Sequence, residues 1–66
     1  KAVEYASRLI EINPNFKEAY RTRSEAHYQL GNYRAALIDA EEALARGMPY
    51  NRNILRFLKE KVASEE

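Results

Sequence analysis

The chain has no cysteine and no tryptophan, and only two glycines and two prolines among its 66 residues. Without cysteine, neither a disulfide nor a thiolate metal site can brace it, so its stability must come from packing. With glycine and proline so scarce, each one marks a boundary between structural elements. No apolar run approaches the ~20 residues of a membrane span and no secretory leader pattern is visible, so no membrane role is expected. Charge of one sign is missing too. Lys and Arg number 11 against 10 acids, a net charge of +1, which makes nucleic acid an unlikely partner. A Gly-rich phosphate loop, a Ser/His/Asp set and metal-ligand spacing are all lacking, and so short a chain cannot enclose a pocket. Neither enzyme activity nor a cofactor is expected.

What is present is a helix pattern written twice. Ala2, Val3, Ala6, Leu9 and Ile10 are matched by Ala36, Leu37, Ala40, Ala43 and Leu44, each 34 residues further on. A repeat of that length is one helix–turn–helix unit that must stack on neighbours to bury its apolar face. The spacing predicts helices over residues 1–13, 16–30, 33–46 and 51–64, with the last residues from Ser64 fraying. Asn13-Pro14-Asn15 stops the first helix and restarts the chain, with Asn15 and Glu18 as a capping box for the second. Gly31 ends the second helix, Asn32 caps the third, Gly47 ends it, and Met48-Pro49-Tyr50-Asn51 is the last break. The first helix carries an apolar stripe of Ala2, Val3, Tyr5, Ala6, Leu9, Ile10 and Ile12, wide enough to meet two neighbours, where the sequence downstream supplies one. The chain lacks an initiator Met and begins inside a helical pattern, which reads as a piece of something longer.

The middle of the chain resembles a tetratricopeptide repeat (TPR). Tyr20 stands at the family's Trp position, Ser24 at its Gly, Ala36 and Ala40 at its Ala and Phe, and Ala43 at a further small position. Leu30-Gly31-Asn32-Tyr33 is similar to its inter-helix turn, while Arg23 in place of Leu and His27 in place of Tyr depart from it. Pro49 lies 35 residues after Pro14, and Leu58 stands at the position of Ser24, so the last helix is expected to end the array. The resemblance implies an all-α fold: an antiparallel helix-hairpin, right-handed solenoid fragment of four helices. Its parts would be the second helix of a preceding repeat (1–14), a full repeat (16–47) and a capping helix (50–64), together one domain over 1–66.

The resemblance also implies a function: binding a peptide or partner segment in a concave groove, within a larger cytoplasmic adaptor or co-chaperone-like protein. The groove face would be Glu18, Arg21, Thr22, Glu25, Tyr28 and Gln29, with Arg21 for a carboxylate, Tyr28 for stacking and Gln29 for a backbone hydrogen bond. The plain alternative is a solvated face on which Arg21 and Glu25 form an ordinary i,i+4 pair. The family's carboxylate clamp is not expected, because Thr22 stands where its Asn belongs and the chain carries one full unit. An alternative is structural: Val3, Leu9 and Ile10, short of a partner, would close on a second copy as a homo-oligomer. A second alternative is weak nucleic-acid binding by the basic row Arg52, Arg56 and Lys59, against which a solvated face is the simpler reading. His27, the lone histidine, faces the partner helix and has no companion ligand.

Overall fold

The computed structural model describes residues 2–65, which form four helices in succession: α1 (Ala2–Ile12), α2 (Lys17–Leu30), α3 (Tyr33–Ala45) and α4 (Arg52–Glu65). Among the described residues there is no strand, and each helix packs on the next, the α2–α3 pair most extensively. The architecture is all-α, as the periodicity requires.

Both glycines do the same work at a helix end. Gly31 and Gly47 take the left-handed conformation, with φ of 84° and 85°. At the first, the Gly31 N–H donates to the Tyr28 carbonyl and the Asn32 N–H to the His27 carbonyl, at 3.1 and 2.9 Å. At the second, the Gly47 N–H donates to Leu44 and the Met48 N–H to Ala43, at 3.0 and 2.9 Å. This double bond back into the last turn satisfies carbonyls that the helix leaves open and reverses the chain.

The helix starts differ from expectation. Asn15 does not cap α2: Phe16 holds the cap position, and no side chain bonds the exposed N–H groups there. The Asn15 N–H instead donates to the Asn13 side chain at 3.1 Å, which folds the Asn-Pro-Asn segment into a turn. Asn32 does precede α3, but its side chain makes no cap bond. The side-chain cap lies elsewhere: Asn51 Oδ1 accepts from the N–H groups of Asn53 and Ile54 at 2.9 and 3.2 Å. Ser64 and Glu65 belong to α4 rather than fraying from it.

The core is made of small residues. Ala6, Ala19, Ser24, Ala36, Ala40 and Ala43 are buried, with Tyr20 and Leu58 as the large members. Alanine at these crossings lets helix backbones approach closely, at the cost of burying little apolar area per residue. A 66-residue chain with such a core has a thin margin of stability. Leu58 closes the far end, wholly buried.

Candidate functional site

The face proposed for binding lies along α2, and its residues do not share one environment. Thr22, Glu25 and Gln29 line a shallow cleft with Ala26 and Leu30 from the same helix and Ala2 and Val3 from α1. The cleft is open to solvent and has a volume of roughly 320 Å³. Its lining is part apolar, and α2 adds a hydroxyl, a carboxylate and an amide, groups able to bond an extended or helical segment. Arg21 and Glu18 are exposed on α2 but do not line this cleft. Arg21 approaches Glu25 across one turn at 3.9 Å, with both side chains about half exposed. Such a pair is worth a few tenths of a kcal/mol and leaves Arg21 available to a competing carboxylate.

Tyr28 has a different role. Its ring packs at 5.7 Å, edge-on, against Phe57 of α4 and at 6.2 Å against Tyr33 of α3. Tyr33 and Phe57 meet edge-on at 5.3 Å, completing a trio. Lys61 Nζ sits 5.9 Å from the centroids of both Tyr33 and Phe57. The trio holds α4 over the α2–α3 turn, so Tyr28 anchors the scaffold beside the cleft. Of the residues considered for self-association, Val3 lines the cleft, and Leu9 and Ile10 are half-buried along α1.

A polar network ties the scaffold together. Arg23 forms two parallel hydrogen bonds to Asp39, Nε to Oδ2 and Nη2 to Oδ1, both at 2.9 Å. Its third nitrogen, Nη1, donates to the Ser7 hydroxyl at 3.1 Å. One guanidinium thus links α1, α2 and α3. The Asp39 carboxylate is nearly buried, and its hydrogen bonds raise the Arg23 pKa, with desolvation opposing. His27 Nε2 stands 3.8 Å from the same carboxylate, and its buried Nδ1 has no hydrogen-bond partner among the described residues. His27 thus packs beside the Arg23–Asp39 pair.

A second chain of bonds crosses the α2–α3 hairpin. The buried Ser24 hydroxyl donates to the Ala36 carbonyl at 2.6 Å and lies 2.7 Å from the Tyr50 hydroxyl. Because Ser24 has one proton to give, Tyr50 is the donor in the second bond. Burial pushes the Tyr50 phenol above its ordinary pKa. Tyr20 fixes the other linker: its hydroxyl donates to the Pro14 carbonyl at 3.1 Å, and the Arg46 guanidinium lies 4.4 Å over its ring. Arg46 also bonds Glu42, one turn back.

Arg23 and Asp39 were not singled out from the sequence. Arg23 had been noted only as a departure from the repeat pattern. A usable signal existed: the two are equidistant from Gly31, and residues equidistant from a tight turn face each other across an antiparallel hairpin. Among the described residues there is no cluster of three His, Cys, Asp or Glu side chains able to hold a metal ion. Nor, among them, is any helix long and apolar enough to cross a membrane.

The chain is similar to the rice (Oryza sativa subsp. japonica) Protein SGT1 homolog, 42% identical over 43 residues. That stretch is 65% of this chain and 12% of the rice protein, so the chain spans a small part of its relative. No family model matches the chain. No solved structure matches it.

Proposed function

We propose that the chain is a protein-recognition module of TPR type that takes a partner segment in the α1–α2 cleft, as part of a larger adaptor. In this reading residues 1–14 are the second helix of one repeat, 16–47 a full repeat and 50–64 a capping helix. The observation that carries it is the cleft itself, lined by Ala2, Val3, Ala26 and Leu30 beside Thr22, Glu25 and Gln29. The 34-residue period and the rice relative support the same reading. Arg21, beside the cleft, supplies the charge for an acidic group on the bound segment.

The test is selection of short peptides from a displayed random library on the 66-residue chain, followed by calorimetric titration of those recovered. Arg21→Glu is expected to weaken acidic ligands by about tenfold, the effect of one charge-assisted hydrogen bond. Leu9→Lys is expected to leave them bound. Peptides whose affinity ignores both Arg21 and the cleft residues would sink the reading.

A further inference from the structure

Four of the five tyrosines stand in helices: Tyr5 in α1, Tyr20 and Tyr28 in α2, and Tyr33 in α3. Tyr50 alone lies between helices, in the linker that leads from α3 into α4. The linker is fixed at both ends and loose between them. Gly47 and Met48 donate back into α3, and Asn51 caps α4. Among the described residues, neither Pro49 nor Tyr50 makes a backbone hydrogen bond. What ties the middle of the linker is one side-chain bond, from the Tyr50 hydroxyl to Ser24 at 2.7 Å. Lifting this segment away therefore breaks a single hydrogen bond and unwinds no helix. Gly47, Pro49 and Asn51 around it are exposed, and exposed irregular segments are where other enzymes gain hold of a chain.

The hydroxyl sits where a phosphate cannot. Ser24 is wholly buried, and its proton is committed to the Ala36 carbonyl at 2.6 Å. Oxygens 2.7 Å apart leave no room between them for a phosphorus atom and three further oxygens. The surroundings also resist charge. Tyr50 is half-buried, and Glu25 of α2 and Asp39 of α3 both oppose an anion there, with Arg21 acting the other way. A phosphotyrosine carries a charge of about −1.5 to −2 at neutral pH. Added here, it must leave the Ser24 site and take the linker with it. α4 then keeps Leu58 in the core and Phe57 in the aromatic trio, but loses the tie ahead of its first turn. The first linker offers no such handle, because Tyr20 reaches it from the core, with its hydroxyl on the Pro14 carbonyl.

We propose that Tyr50 is a site of reversible tyrosine phosphorylation, and that the phosphate unfastens the start of α4 from the α2–α3 hairpin. In the transfer, the phenol oxygen forms a bond to the γ-phosphorus of a nucleoside triphosphate. The bond from that phosphorus to its bridging oxygen breaks, the nucleoside diphosphate leaves, and the phenol proton passes to a base of the kinase. Hydrolysis of the phosphate ester restores the hydroxyl and its bond to Ser24. One oxygen thus sets two states: hydroxyl inward on Ser24, or phosphate outward in solvent. The inference goes beyond the cleft reading and does not rest on it.

The test begins with the 66-residue chain, ATP, Mg²⁺ and a broad-specificity tyrosine kinase domain, the modified sites being located by mass spectrometry. Tyr50 is expected to be modified at least about tenfold faster than Tyr5, which is 64% exposed but helical. Chemical synthesis then supplies the chain with phosphotyrosine at position 50. Amide hydrogen exchange should show the protection of residues 53–57 reduced about thirtyfold or more, with α1 and α2 unchanged. Tyr50→Phe removes the Ser24 bond without adding charge, and should reduce that protection by no more than about fivefold. A tyrosine phosphatase should restore the phosphorylated chain. Tyr5 modified as fast as Tyr50, a loss at 53–57 no greater than in Tyr50→Phe, or a loss spread evenly through all four helices would each overturn the proposal.

Discussion

α1 and α3 are written in one pattern and end in opposite circumstances. α3 lies between α2 and α4, and its alanines at 36, 40 and 43 are fully buried. α1, with Ala2, Ala6 and Leu9 at the same places, packs on α2 by one face and leaves Tyr5 and Ile12 in solvent. The difference shows that burial here belongs to the neighbour and not to the residue. It also explains the chemistry at the paired positions. Asp39 is tolerated in a nearly closed site because Arg23 arrives with two hydrogen bonds. Tyr5, which meets no such partner among the described residues, needs none while it stands in water.

The last helix contrasts with the first. α4 turns Leu58 inward and keeps Arg52, Arg56 and Lys59 exposed. The outer face of α4 is thus polar, whereas α1 leaves Tyr5 and Ile12 in solvent. The sharpest way to break this comparison is to empty the closed end. Leu58→Ala is expected to cost about 3 kcal/mol, since the wholly buried side chain leaves a cavity that α3 and α4 cannot collapse. Leu9→Ala, on the half-covered helix, should cost about 1 kcal/mol or less. Urea unfolding followed by far-UV circular dichroism compares them, and equal losses would mean that the two ends are equally packed.

A second test exchanges the paired positions. Asp39→Ala strands the Arg23 guanidinium in a largely covered site and is expected to cost about 2 kcal/mol, less than a fully buried pair because Arg23 keeps some exposure. Tyr5→Ala, its counterpart on α1, should stay within about 0.5 kcal/mol. Replacing both charges, with Arg23→Met and Asp39→Leu together, should recover most of the loss, because no unpaired charge then remains. The same denaturation series reads all three. A double replacement as damaging as Asp39→Ala would show that the pair does more than satisfy its own burial.

The helices themselves were legible because their signals are local: apolar spacing, a glycine at each of two ends, and proline in each longer linker. The surplus apolar width of α1 was legible for the same reason. Helix starts were harder. Asn15 followed by Glu18 has the composition of a capping box, but the Asn13 side chain takes the Asn15 N–H and the chain enters α2 from Phe16. Asn51, read only as part of a break, is the residue that caps. The face proposed for binding was legible as a stretch of α2 and not as a set of roles. The environment of Tyr28 depends on Phe57, which α4 brings from 29 residues away. Arg23 was read as a missing leucine, since repeat patterns describe what a position usually holds and not what a substituted pair can do.

The smallest expected effect concerns Tyr50, which ties the lead-in to α4 onto Ser24 and so helps to make the far end closed. Its phenol must stay protonated to donate to Ser24, whose own proton goes to Ala36. Burial raises its pKa, so the folded state holds this proton more tightly than the unfolded chain does. The stabilisation is therefore complete below the unfolded value of about 10 and is lost as pH rises through the higher folded value. Tyr50→Phe should lose about 1 kcal/mol at neutral pH, one hydrogen bond, while the Ser24 bond to Ala36 persists. The gap between native chain and variant should hold steady through neutral pH and narrow above about pH 10. Stability measured at several pH values for both chains decides it. A gap that widened in alkali would mean that the ionised phenol is the better partner for Ser24, and that the bond runs from serine to tyrosine instead.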